Sequence, residues 1–180
     1  MNSKIKEYEE LGIFLFPIVT MFIAPYIHEY IHVWFLNYFR CPSNHFITFS
    51  LYGVCGYVEP LCQLTKYQTF VMLIAPVTLL ISFGILLFGL AFHMKMKNFP
   101  ALPIYLSSTG MGFIVSSALD FFSNNCDFKI ALSTYGVEVS EKVFYLAGIV
   151  IIIISSVFYL EVLFEISREV RIRKPTRGHK

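Results

Sequence analysis

Four stretches of this 180-residue chain are almost free of charge, and each approaches or exceeds the length of a bilayer crossing. Between Glu10 and Arg40 the only ionisable groups, tyrosines aside, are His28, Glu29 and His32. Gln68 to Met94 carries no charge, with His93 near its end, and Asn98 to Leu119 and Val143 to Leu160 carry none. A helix needs about 20 mostly apolar residues to span the hydrocarbon core, and spanning backbone must satisfy its own hydrogen bonds. Nothing here alternates as a barrel strand does. The pattern predicts an all-α membrane protein with four transmembrane helices, at 11–39, 68–94, 98–119 and 143–160.

Composition agrees. Apolar residues make up 56% of the chain and charged residues 14%, against about 25% charged in soluble domains. A soluble fold would lack polar side chains for its surface, and the same numbers exclude disorder, a coiled coil and a disulfide scaffold. The net charge of +2 excludes nucleic acid as a partner and leaves the lipid bilayer as the surrounding phase. No internal repeat or low-complexity tract divides residues 1–180, which read as a single membrane-embedded domain. The first apolar stretch exceeds the 7–15 residues of a signal core and lacks an Ala-x-Ala-like site, so it is expected to remain as the first helix.

Lys and Arg set the expected orientation. With four spans, both termini share a side with Lys95 and Lys97, and that side holds Lys4, Lys6, Arg168, Arg171, Arg173, Lys174, Arg177 and Lys180 as well. The other side holds Arg40, Lys66, Lys129 and Lys142. The positive-inside rule therefore predicts a multi-pass cell-membrane protein with cytoplasmic termini. The basic tail 168–180 reads as a topology signal, with anionic-lipid binding as the alternative. After the first helix, His45 to Tyr57 is rich in β-branched and aromatic residues, with Gly53 and Gly56 as turn or bulge positions. It predicts a short β-hairpin at the membrane surface. Residues 120–142 are expected to form a second loop.

The chemistry lies in His28-Glu29-Tyr30-Ile31-His32, an H-E-x-x-H. Helix positions i and i+4 share a face, so both imidazoles can reach one metal ion. Glu29, on the adjacent strip, can take a proton from water beside that ion. Each ionisable group within the bilayer costs about 2.5–3.5 kcal/mol on insertion scales. Three occur here within five residues, without a Lys or Arg in the span to balance Glu29. A bound dication supplies the missing counter-charge. The competing reading places these groups at the interface, bonded to water and head groups, with Trp34 in an aromatic belt.

A zinc hydrolase needs three protein ligands and one open position. Two aspartates are candidates for the third. Asp120 ends a span parallel to the one carrying His28, at similar depth, and is the expected ligand; Asp127 follows the polar run Ser123-Asn124-Asn125 and would need a re-entrant loop.

An H-E-x-x-H in the first core helix with an aspartate closing the third resembles the site-2 protease family of intramembrane zinc metalloproteases, closest to its small four-span relatives. The resemblance covers residues 11–128. Leu119-Asp120 matches the start of the family's Leu-Asp-Gly motif, with Phe121 in place of the glycine and Ser117-Ala118 in place of Asn-Pro. Ala75-Pro76 resembles the start of its Gly-Pro-x-x-Asn element, with Leu79 at the asparagine position and Thr78 a weak substitute for it. The resemblance implies a zinc metalloendopeptidase with His28, His32 and Asp120 as ligands and Glu29 as catalytic base, acting on a transmembrane or membrane-adjacent peptide. It also implies a site opening to the cytosol, whereas the charge count places His28 and Asp120 nearer the external face.

From the residues alone, two other classes remain: a non-catalytic metal- or haem-binding membrane protein, and a small structural or immunity-type membrane protein. A haem would call for histidines on facing helices, and His93 lies at the wrong end of its span for this. His45 and His179 read as surface groups. Cys41, Cys55, Cys62 and Cys126 lack C-x-x-C spacing, and disulfides and free thiols are equally compatible with them.

Overall fold

The computed structural model describes residues 3–50, 53–94, 101–123 and 126–172. The chain runs α1 (Ser3–Ile18), a π-helical turn (Val19–Ile23), α2 (Ala24–Tyr38), strands β1 (Ser43–Ser50) and β2 (Gly53–Pro60), α3 (Lys66–His93), α4 (Ala101–Asp120), α5 (Asp127–Ser133) and α6 (Glu141–Ile172). Four helical stretches are long and apolar enough to cross a membrane: Lys4–Tyr38, Lys66–His93, Ala101–Asp120 and Glu141–Arg168. All four expected spans are present. The first starts earlier than residue 11 and the last runs past residue 160, because charged side chains continue a helix once it clears the apolar layer. Beyond residue 172 the expected basic tail lies outside the described residues.

α4 is the inner helix, packed against α1, α3 and α6. Two of its buried serines are satisfied within the helix: Ser107 Oγ donates to Ile104 O at 2.9 Å and Ser117 Oγ to Phe113 O at 3.0 Å. Without a hydrophobic force between helices in lipid, close approach of small residues supplies the attraction. The α3–α4 seam shows this: a Cβ on Gly84 would lie 2.7 Å from the Gly110 carbonyl oxygen, and a Cβ on Gly110 would lie 2.7 Å from that of Gly84.

The first span is not a uniform helix. Pro25 has no N–H to give and its ring crowds the carbonyl four residues back. The backbone widens just before it, and Ala24 N–H bonds to Val19 O, five residues earlier. This π-type turn sits one turn ahead of His28 and rotates the histidine face relative to a plain α-helix.

α2 ends on a Schellman motif: Arg40 N–H bonds to Asn37 O and Cys41 N–H to Leu36 O, both at 2.9 Å. Arg40 takes the left-handed conformation the motif needs (φ 58°), a position usually held by glycine. The reversal drives Cys41 inward, and its disulfide with Cys62 closes the hairpin between them. β1 and β2 pair antiparallel from Ser43↔Pro60 to Ser50↔Gly53, so the expected hairpin is present and longer than anticipated. Its two faces differ. Phe46 and Tyr57 are paired and exposed on one, while Val58 on the other packs against the cluster of Leu36, Cys41 and Met72. α3 opens with a capping box, Gln68 N–H to Thr65 Oγ1 and Thr65 N–H to Gln68 Oε1.

Candidate metal centre

α2 presents His28 and His32 one turn apart, and α5 brings Asp127 to them. His28 Nε2 lies 2.9 Å from Asp127 Oδ2, His32 Nε2 lies 3.0 Å from the same oxygen, and the two Nε2 atoms are 3.2 Å apart. Each residue offers one ligand atom to a common point, so the group can hold a metal ion. Four donors at 2.0–2.1 Å around a tetrahedral ion stand roughly 3.3 Å apart, close to the spacing of these three. The side chains of His28, His32 and Asp127 are 14%, 7% and 17% exposed.

The ring of His32 is held from behind. His32 Nδ1–H donates to the Met72 carbonyl on α3 at 3.0 Å. That bond fixes the ring, so that in the neutral form that binds a metal the Nε2 lone pair would face Asp127 and His28. Asp127 is held by the helix that carries it. Ala131 packs in the cluster of Leu36, Met72 and Leu73, and Phe128 and Leu132 join that of Val77, Phe121 and Phe144. Lys129 pairs with Glu141 across to α6 at 2.6 Å. Burial alone would raise the Asp127 carboxyl, but hydrogen bonds and charge from His28 and His32 outweigh it and hold it at about 2.

Asp127 rather than the expected Asp120 lies with the two histidines in the group that could hold a metal ion. The objection to Asp127 was the cost of carrying loop backbone back into the bundle. That cost is removed because 127–133 is a helix, satisfied internally and covered by packed side chains on one face. Its signal was present in the sequence as Phe128, Ala131 and Leu132, apolar residues at helical spacing inside what read as a loop. Asp120, the last residue of α4, stays close by. Its carboxylate faces the Cys126 thiol and the Asp127 main chain, and its Oδ2 is buried with no hydrogen-bond partner among the described residues. It flanks the centre without belonging to the donor group.

Glu29 takes the strip next to the histidines and lies beneath β2. A Cβ on Gly56 would stand 3.0 Å from Glu29 Cγ and 3.2 Å from its Cδ, so the strand passes directly over this side chain only because residue 56 lacks one. Cys126 is a free thiol that burial pushes up to about 11, so it is a packing group rather than a thiolate. Comparison with protein-family models, with curated proteins and with solved structures finds no match.

Proposed function

We propose that the chain is a membrane-embedded zinc metallopeptidase hydrolysing a peptide bond in or near the membrane, with His28, His32 and Asp127 as ligands and Glu29 as catalytic base. The observation that carries this reading is the convergence of two imidazole nitrogens and one carboxylate oxygen within 3.2 Å, with His32 held from behind by Met72. Two nitrogens and one oxygen make a common catalytic zinc set, and three protein donors leave a fourth position open. A zinc ion there would supply Lewis acidity that polarises a carbonyl and acidifies water.

The chain's own groups do the rest. Asp127 cancels part of the dication's charge where lipid is near, which two neutral imidazoles cannot do. Glu29 is not a donor, so its carboxylate is free to take a proton from water and return it to the leaving amine. Among the described residues the sheet covering Glu29 has two strands only, and an extended peptide can join such a hairpin edge as a further strand. Unwinding the substrate in this way would expose a bond that a helix hides.

The test compares membrane proteomes of cells making the wild type and Glu29→Gln. Gln keeps size and hydrogen bonding but cannot act as a base. New peptide termini should appear only with the wild type, at equal metal content in the two purified proteins. Identical termini in both would remove Glu29, and the peptidase reading with it.

A further inference from the structure

The helix connectivity gathers one end of the bundle around the candidate centre. The C-terminal ends of α2 and α4, the N-terminal ends of α3 and α6, the hairpin and α5 all lie there. The Cys41–Cys62 disulfide lies there too, joining the turn after α2 to the segment just past β2. Disulfides form and persist in oxidising compartments and are rare where thiol reductants prevail. The charge pattern is a separate observation pointing the same way. This end carries Arg40, Lys66, Lys129 and Lys142, with Lys129 neutralised by Glu141; of the other ten basic residues in the sequence, Lys4, Lys6 and Arg168 lie at the opposite ends of their spans.

Depth can be read from the aromatic residues. Trp34, Tyr38 and Tyr67 are exposed to the surroundings by 60–71%, and such rings gather at the membrane–water interface. At about 1.5 Å of rise per residue, His32 lies roughly 3 Å and His28 roughly 9 Å inside the level of Trp34. The midplane of a core about 30 Å thick is deeper than either. On the outer face of the hairpin, Phe46 and Tyr57 lie side by side with ring centroids 6.4 Å apart, an apolar pair suited to the same interface.

We infer that the metal centre opens to the oxidising, non-cytoplasmic side of the membrane at interface depth. Its substrates are then extended peptide segments lying along that outer surface, not helices buried at the midplane. The substrate half rests on the peptidase reading; the orientation does not.

Two experiments separate the halves. In a bacterial host, Glu138→Cys on the exposed loop before α6 and Lys4→Cys at the start of α1 are made in a Cys55→Ser, Cys126→Ser background. A membrane-impermeant maleimide should label Glu138→Cys in intact cells and Lys4→Cys only after lysis. Acid-trapped wild type should yield Cys41 and Cys62 in one disulfide-linked peptide. Reversed labelling, or both cysteines recovered as free thiols, would overturn the orientation. For the substrate half, termini that depend on Glu29 should map to outer juxtamembrane segments. Termini at mid-span or on the cytoplasmic side would overturn it. So would a complete absence of such termini, which strikes the peptidase reading while leaving the labelling result standing.

Discussion

Gly84→Ala and Gly89→Ala are the same chemical change on the same helix, and the structure predicts opposite outcomes. At Gly84 the added carbon would lie 2.5 Å from Ile114 Cγ1 and 2.7 Å from the Gly110 carbonyl oxygen. Ordinary carbon contacts sit at about 3.5–4.0 Å, so a gap approaching 1 Å must be opened. The Ile114 side chain can turn a little, but the Gly110 carbonyl is backbone and cannot move without moving α4. Over-packing of this kind costs about 1–3 kcal/mol, against at most about 1 kcal/mol gained in helix propensity. At Gly89 nothing lies within 4 Å of the new carbon, and only the propensity gain remains. Both variants gain the propensity term, so they should differ by the over-packing cost alone, about 1–3 kcal/mol. Reversible unfolding in detergent micelles titrated with dodecyl sulfate measures the difference. If Gly84→Ala were as stable as Gly89→Ala, the tight α3–α4 seam would be refuted.

Cys62→Ser, or reduction of the wild type, removes a link across a 21-residue separation, for which chain entropy gives about 3 kcal/mol; faster proteolysis within the hairpin should follow, and unchanged proteolysis would deny the bridge a role. Acid should release the metal in a defined window. The Asp127 carboxyl, held at about 2, stays ionised throughout, so protons compete for the imidazole nitrogens, and affinity should fall on acidification. Zinc affinity unchanged between about pH 8 and about pH 5 would contradict imidazole ligation. In the metal-free protein the lowered Asp127 value adds stability that is complete above about pH 4 and lost as pH falls towards about 2; denaturant titration across that window reads it.

The spans and the hairpin were legible because each rests on a short-range signal. Absence of charge over about 20 residues leaves few alternatives in a bilayer, and β-branched residues flanked by glycines mark a hairpin. His28 and His32 were legible for the same reason, since their spacing alone puts them on one face. Asp127 was not, because its place depends on where a seven-residue helix docks. That docking is decided by contacts of Ala131 with Leu36 and Met72, far away in sequence. The pairing of Cys41 with Cys62 was hidden likewise, resting on the left-handed turn at Arg40, a residue without turn preference. Position along a span gave the right end of the bundle for Asp120 but could not say which carboxylate meets the histidines.

Metal content of the purified protein tests the account most directly. Wild type, His28→Ala, Asp127→Ala and Asp120→Ala are prepared in detergent, loaded with zinc, passed over a chelating resin and analysed by elemental mass spectrometry. The wild type and Asp120→Ala should each retain one zinc per chain, and His28→Ala and Asp127→Ala should retain none. A full equivalent in Asp127→Ala, or its loss only in Asp120→Ala, would contradict the centre described above.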